Sequence, residues 1–291
     1  MRRKAVVGLG ILGAGVAILL AIAWVVARGD RVAGDRVALV NVEGVITDSR
    51  AVVEQIERYR TQPRVKALVV RIDSPGGGVA PSQEIYGGIL KFRRASGKPV
   101  VASMGRVAAS GGYYIAAAAD RIVANPGTIT GSIGVIMQLP NVSGLLQKVG
   151  VSTTIIKSGQ FKDMGGAVRE LTEAERKVLQ DLLDDVHAQF IDAVAAGRKM
   201  DRAKVLPLAD GRVFSGRHAQ GVGLVDELGD LRDAIARAGN LAGLPENPPV
   251  IQERRRSLWD LVWGPAGGPE RALAWPVPST SATVDYLWSV R

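Results

Sequence analysis

Ala67-Leu68-Val69-Val70-Arg71-Ile72, running straight into Asp73-Ser74-Pro75-Gly76-Gly77-Gly78, is the stretch on which the fold turns. Its first part is almost wholly apolar and rich in β-branched side chains. That pattern suits a strand covered on both faces rather than one with a wet side. The proline and glycines that follow end it in a tight turn. Other strand-like runs lie at Val37 to Val42, Pro99 to Met104, Arg121 to Ala124 and Val151 to Lys157. Helical patterns alternate with them, at Val52 to Arg60, at about Pro81 to Phe92, and from near Ser110 onward. Strands alternating with helices predict an α/β fold with a largely parallel sheet and crossover helices.

A longer helix is expected after Thr172, because Thr172 and Glu175 have the spacing of a capping box. Leu179, Leu182, Leu183, Val186, Phe190 and Val194 then recur with helical period and predict one buried face. The folded domain is expected to close with a helix around Leu231 to Ala242. After Pro245 the character changes, with prolines, the triplet Arg254-Arg255-Arg256 and four of the five tryptophans (Trp259, Trp263, Trp275, Trp288). Disorder alone has no need of such aromatics. The tail is therefore expected to dock on the body, on a neighbouring subunit or on a membrane surface.

The N-terminus reads as a membrane anchor. Residues 5–27 carry no charge. As a helix at ~1.5 Å per residue they would reach ~34 Å, slightly more than a ~30 Å hydrocarbon core. Arg2, Arg3 and Lys4 precede the run, and positive residues favour the cytoplasmic side. The expected order is a cytoplasmic stretch 1–4, a transmembrane helix 5–27, a linker 28–36, an extracytoplasmic folded domain 37–244 and a tail 245–291. A cleaved signal peptide is the competing reading, but the apolar run exceeds the usual ~7–15 residues.

Composition removes several chemistries. The 291 residues include no cysteine, so disulfides, thiol nucleophiles and cysteine metal sites are excluded. With two histidines, His187 and His218, a histidine-rich metal centre is excluded as well, and no metal or cofactor is expected. The net charge of +9 is concentrated at the two arginine-rich clusters near the ends. The body shows no basic stripe with interleaved aromatics, so a nucleic-acid partner is not expected.

The chemistry centres on Ala108-Ala109-Ser110-Gly111-Gly112-Tyr113-Tyr114. A serine among small residues at a helix mouth is a nucleophile candidate, although small residues also serve tight packing. A serine hydroxyl needs a base. His187 falls on the apolar side of the long helix and reads as a satisfied core residue; His218, at a helix start, reads as exposed. Lysine can serve if desolvation keeps it neutral. Lys162, in Gly159-Gln160-Phe161-Lys162-Asp163-Met164, follows a strand-like run and has apolar neighbours, but taken alone it reads as a surface lysine first. Oxyanion stabilisation needs backbone N–H groups aimed at the developing charge. The Gly76–Gly78 run can supply one donor and Gly111, at a helix N-terminus, the other.

The ordered set of motifs resembles the signal peptide peptidase family of membrane-anchored serine proteases, in its short, single-repeat form. The motifs are Asp73 to Gly78, Met104-Gly105 with Ala108 to Tyr114, and Thr130-Gly131-Ser132-Ile133-Gly134-Val135. Ser158-Gly159 with Phe161-Lys162-Asp163, Asp210-Gly211-Arg212-Val213 and Gly223 to Gly229 complete the match, which runs from Val37 to Ala242. The resemblance implies a Clp protease/crotonase-like fold of repeated ββα units. It implies Ser110 as nucleophile, Lys162 as general base, Gly77 and Gly111 as oxyanion donors, and Ser132 as the group that orients the lysine. It also implies a homo-oligomeric ring whose subunits share sites, so that Lys162 would serve the Ser110 of a neighbour. Signal peptide remnants and other apolar peptides would be the substrates. Three other readings remain at this stage: a related membrane protease with a different protein substrate, a crotonase-type acyl-CoA binder, and an inactive scaffold.

Overall fold

The computed structural model describes residues 34–253 and 285–287, so the expected anchor and the four tail tryptophans lie outside the described residues. Among the described residues no helix is long and apolar enough to cross a membrane.

The described residues begin with two crossover units. The first is β1 (Arg36–Glu43), α1 (Arg50–Thr61) and β2 (Val65–Ser74). The second passes through the short β3 (Gly76–Gly78) and α2 (Val79–Ser96) into β4 (Val100–Ala109). Next come α3 (Gly111–Ala116), β5 (Arg121–Ala124), β6 (Ile129–Gly131) and α4 (Ser143–Lys148). The long α5 (Glu173–Arg198) and the single turn α6 (Arg202–Val205) lead to β7 (Val213–Ser215) and α7 (Gly216–Gly221). β8 (Glu227–Leu228), α8 (Leu231–Leu241), β9 (Val250–Ile251) and β10 (Asp285–Leu287) follow.

The central sheet runs β7-β6-β4-β2-β1-β9, with β5 and β8 continuing from β4. Every pairing is parallel except β6 with β7. β4 is long enough to serve two neighbours on one side: Val101–Met104 pair with β5, and Val107–Ala109 pair with β6. The expectation of a mixed α/β chain with a largely parallel sheet is met. Both faces of β1, β2 and β4 are covered, which is why β2 reads as a near-continuous apolar run. Val40, Leu68, Val70 and Ile72 face Ile56 of α1, Ile89 and Phe92 of α2, Tyr113 of α3 and Phe190 of α5. Val37, Leu39, Val69 and Val101 face Ala234 and Ala238 of α8.

Three local expectations change on folding. The run Val151 to Lys157 forms no strand; residues 149–162 are all exposed, and Ile156 is 96% accessible. β-Branched residues favour strands only where a neighbouring strand receives them, and none does so among the described residues. The stripe on α5 is buried only in its C-terminal half, at Val186, Phe190 and Val194, while Leu182 stays 44% exposed. His187 is half-buried and its Nε2 has no hydrogen-bond partner among the described residues, so it is not the satisfied core residue expected. By contrast the capping box at Thr172 and Glu175 forms as read, with both reciprocal bonds present. Part of the stretch read as tail also packs on the body: β9 extends the sheet beside β1, and Glu253 bonds Arg58 and the Tyr59 hydroxyl.

Candidate active site

The site is assembled at the carboxyl ends of β2, β4 and β6, where parallel sheets commonly place their ligands. The register between β2 and β4 jumps there, from Ile72 opposite Met104 to Ser74 opposite Ala108. This bulge re-aims the end of β4, as bulges near active sites do. Asp73 Oδ1 accepts the Val107 N–H at 3.2 Å, and Arg106 pairs with the other oxygen at 3.0 Å. Thr128 and Thr130 donate their hydroxyls to the Gly105 and Ala108 carbonyls, both at 2.7 Å. Gly105 has to be small, since a Cβ there would stand 2.9 Å from the Asp73 side chain. Two motifs separate in sequence thus form one brace.

The braced strand delivers Ser110 into a sharp turn, with φ 54° and ψ −118°, immediately before α3. Positive φ is costly for a residue with a Cβ and persists where surrounding structure enforces it. The enforcement is visible. The Ser110 N–H donates to the Gly131 carbonyl at 2.8 Å, its carbonyl accepts from Tyr114 at 2.9 Å, and every residue of α3 is buried. Ser110 itself is 1% exposed. Its side chain does not cap the helix, so the hydroxyl is not committed to that role. Gly112 lets α3 close on β2, since a Cβ there would lie 3.0 Å from the Ser74 carbonyl oxygen.

Ser132 continues β6 as Ser110 continues β4, and the two strands are in register at Ala109 and Gly131. Ser132 is also buried with positive φ, at 52°. The Arg212 carbonyl holds its N–H at 2.8 Å, and the Ile133 carbonyl takes the Gly211 N–H at 3.1 Å. The Asp210 to Val213 motif is therefore a clasp on Ser132, a role its sequence did not reveal.

On the β2 side, Gly76–Gly78 is held by Ile46. The Ile46 N–H donates to the Gly76 carbonyl at 2.9 Å, and the Gly78 N–H donates to the Ile46 carbonyl at 2.8 Å. Backbone groups alternate along a strand, so the N–H and C=O of Gly77 face the opposite side. Gly77 has φ +156°, and a Cβ would lie 2.3 Å from the Ile46 carbonyl oxygen. On that opposite side lies β10, antiparallel to β3, with Tyr286 opposite Gly77. Gly111 is the first residue of α3, where a helix offers N–H groups without intrahelical acceptors.

Lys162 is placed differently. It lies in a series of turns, its N–H donating to the Gly159 carbonyl at 3.2 Å, and its side chain is exposed. Among the described residues no hydrogen bond joins it to Ser110 or Ser132, and none joins either histidine to Ser110. His218 is exposed at the start of α7, as expected. The fold thus brings Ser110, Ser132, Gly77 and Gly111 to the carboxyl ends of neighbouring strands, and leaves Lys162 on the surface. A surface cleft bounded by Asn41, Glu43, Asp48, Arg58 and Glu253 does not include Ser110.

A buried serine on a strained strand-to-helix turn, beside glycine backbone donors, has the parts needed for attack on a carbonyl and for stabilising the resulting oxyanion. The arrangement is compatible in its chemistry with a hydrolase that uses a serine nucleophile. Residues 92–245 match Peptidase family S49. The chain is 48% identical over 212 residues to a candidate protease, slr0021, of Synechocystis sp., covering 72% of this chain and 75% of that one. It is 35% identical to Protease 4 of Salmonella typhi and 38% identical to the chloroplastic serine protease SPPA of Arabidopsis thaliana. Those matches cover 82% and 73% of this chain but 40% and 32% of the relatives, so the chain spans less than half the length of either. The chain belongs to peptidase family S49 and is a serine peptidase.

Proposed function

We propose that this peptidase is a membrane-anchored endopeptidase of Clp protease/crotonase-like fold that degrades released signal peptides and other apolar peptides with a Ser110–Lys162 dyad. The observation that carries the reading is the strained, buried Ser110 directly before Gly111 at the N-terminus of α3. The substrate lies antiparallel along β3, as the chain's own 285–287 segment does. Main-chain pairing of this kind accepts many sequences.

Ser110 Oγ attacks the scissile carbonyl carbon while its proton passes to Lys162 Nζ. The Gly77 and Gly111 N–H groups take the charge that develops on the carbonyl oxygen. Collapse breaks the C–N bond, and the lysine returns the proton to the departing amine. Water then repeats the sequence on the acyl-serine. Ser132, one strand away from Ser110, orients the lysine amine. A lysine base must be shielded from water, whereas Lys162 is exposed in the single chain and sits at the end of an exposed apolar ribbon. A neighbouring copy in a ring supplies the shielding, Lys162 serving that copy's Ser110. The uncharged run 5–27 holds the catalytic part outside the cytoplasm, where apolar peptides leave the membrane.

The test uses Ser110→Ala, Lys162→Ala and an equimolar, co-refolded mixture of the two, assayed on a fluorogenic apolar peptide. Both variants are expected to be inactive and the mixture to regain activity. A Lys162→Ala protein with full activity rules out the dyad, and an inactive mixture rules out sharing between copies.

A further inference from the structure

The segment that carries Lys162 has little to hold it. Residues 149–162 are exposed, and the turns that follow are held within themselves by local backbone hydrogen bonds of 3.1–3.2 Å. Yet a general base works only when its amine is placed to within a fraction of an ångström. What anchors the segment is the residue beside it. Asp163 Oδ1 accepts from Lys157 Nζ at 2.5 Å, and the same amine bonds the Gln160 carbonyl at 2.9 Å, which ties residues 157–163 into one loop. Asp163 Oδ2 accepts from Arg169 Nε at 2.6 Å.

Arg169 is the link to the body. The far edge of its guanidinium grips Glu175 with both terminal nitrogens, one of them at 2.8 Å from Oε2, and Nη1 also reaches the Glu170 carbonyl at 2.8 Å. Glu175 is 2% exposed and is the acidic member of the α5 capping box, where Oε2 also accepts the Thr172 N–H at 2.9 Å. α5 in turn is fixed in the core through Phe190 and Val194. A planar fork that satisfies two carboxylates at once transmits position in a way a flexible ammonium does not.

We propose that Arg169 is the positioning residue for the catalytic lysine, fastening the Lys162 loop to the N-terminus of α5 and holding the Asp163 carboxylate away from the lysine amine. The proposal rests on Lys162 being the general base. The second half matters because a carboxylate beside the amine favours its charged, non-basic form. The charged groups around the loop are Lys157, Asp163, Arg169, Glu170 and Glu175; Asp163 pairs with Lys157 and Arg169, and no ion pair links it to Lys162.

The experiment measures kcat, KM and the pH profile of kcat/KM for full-length wild type, Arg169→Ala, Arg169→Lys, the double variant Arg169→Ala/Asp163→Asn, and Lys162→Ala. Arg169→Ala is expected to lower kcat about 10²-fold, the cost of a displaced catalytic group, with KM within about twofold. Its acid limb should move upward by about one pH unit, because the freed Asp163 stabilises the protonated lysine. Adding Asp163→Asn should restore the limb but not kcat. Arg169→Lys should recover part of kcat, and it carries the test should Arg169→Ala fail to fold. Wild-type kcat and an unmoved acid limb in both Arg169 variants overturn the proposal, as does a loss of kcat and KM in proportion to a lowered melting temperature. Full activity in Lys162→Ala instead overturns the base assignment on which the proposal stands.

Discussion

Gly77→Ala puts the site's backbone geometry to a direct test. The added Cβ would lie 2.3 Å from the Ile46 carbonyl oxygen, 2.5 Å from its nitrogen and 2.7 Å from its carbonyl carbon. Ordinary contacts begin at about 3.4 Å, so a gap of about 1 Å must open. The obstacle is backbone, already engaged with Gly76 and Gly78 at 2.9 and 2.8 Å, and no side-chain rotation can relieve it. The φ of +156° adds strain of its own for a residue with a Cβ. β3 must therefore shift and carry the Gly77 N–H with it. Loss of one oxyanion donor costs about 2.7–4 kcal/mol of transition-state stabilisation, or about 10²–10³-fold in kcat. The assay is steady-state hydrolysis of a fluorogenic peptide, with a thermal melt to show that the fold persists at the assay temperature. The expected result is a fall in kcat of that size. A Gly77→Ala protein that stays folded and keeps wild-type kcat would refute the placing of an oxyanion donor at this position.

Other outcomes follow from the same geometry. Gly87, on the exposed face of α2 with nothing within 4 Å of its would-be Cβ, should tolerate alanine and gain about 0.5–1 kcal/mol, read as a small rise in Tm with unchanged activity. Asp226 accepts from Arg198, Arg121 and the Ile122 N–H, and Arg198 is 7% exposed. Asp226→Ala should cost about 3 kcal/mol in chemical denaturation, because it strands a buried cation; a loss under about 1 kcal/mol would contradict that. Deleting residues 285–291 should lower KM and leave kcat unchanged, since β10 covers the side of β3 to which Gly77 turns its polar groups; an unaltered KM would show that the strand does not compete with substrate. The Arg169 fork, then the Thr172 N–H, hold the Glu175 carboxyl down to about 2, against an ordinary 4.5. A depressed carboxyl stabilises the fold above its unfolded value and loses that contribution as pH falls through its folded one. The Tm gap between wild type and Glu175→Gln should hold from pH 7 to about pH 5 and shrink toward pH 2; a gap constant to pH 2.5 would place its origin elsewhere.

The sequence is legible where one residue pattern answers to one physical cause. β2 reads correctly because burial on both faces leaves it almost no polar positions. The start of α5 reads correctly because Thr172 and Glu175 satisfy their own helix's N–H groups. The short strands β3, β6, β7, β8 and β9 do not read, because two or three residues carry no period and their pairing is set by partners far along the chain. The last part of β4 is missed for a related reason. Gly105 to Ala109 is small and unpatterned, and becomes strand only when Asp73 and the two threonines hold the bulge. The residues at the carboxyl ends of β2, β4 and β6 are recoverable in sequence as motifs, but their support is not. Nothing in Asp210-Gly211-Arg212 announces that its carbonyl steadies Ser132. The opposite error occurs at Val151 to Lys157, where strand propensity is real and no partner strand receives it among the described residues.

The three glycines of β3 also bear on how long a cut peptide stays. A strand this short, with no side chains of its own, can offer an incoming chain only a few main-chain hydrogen bonds, each contributing about 1 kcal/mol net. Nothing in it rewards one side chain over another, and nothing in it grips. An enzyme that reads its substrate through such a strand gives up retention for throughput. On the proposed pairing along β3, fragments leave once cleavage shortens the stretch that can pair, and selectivity comes from surfaces outside that strand.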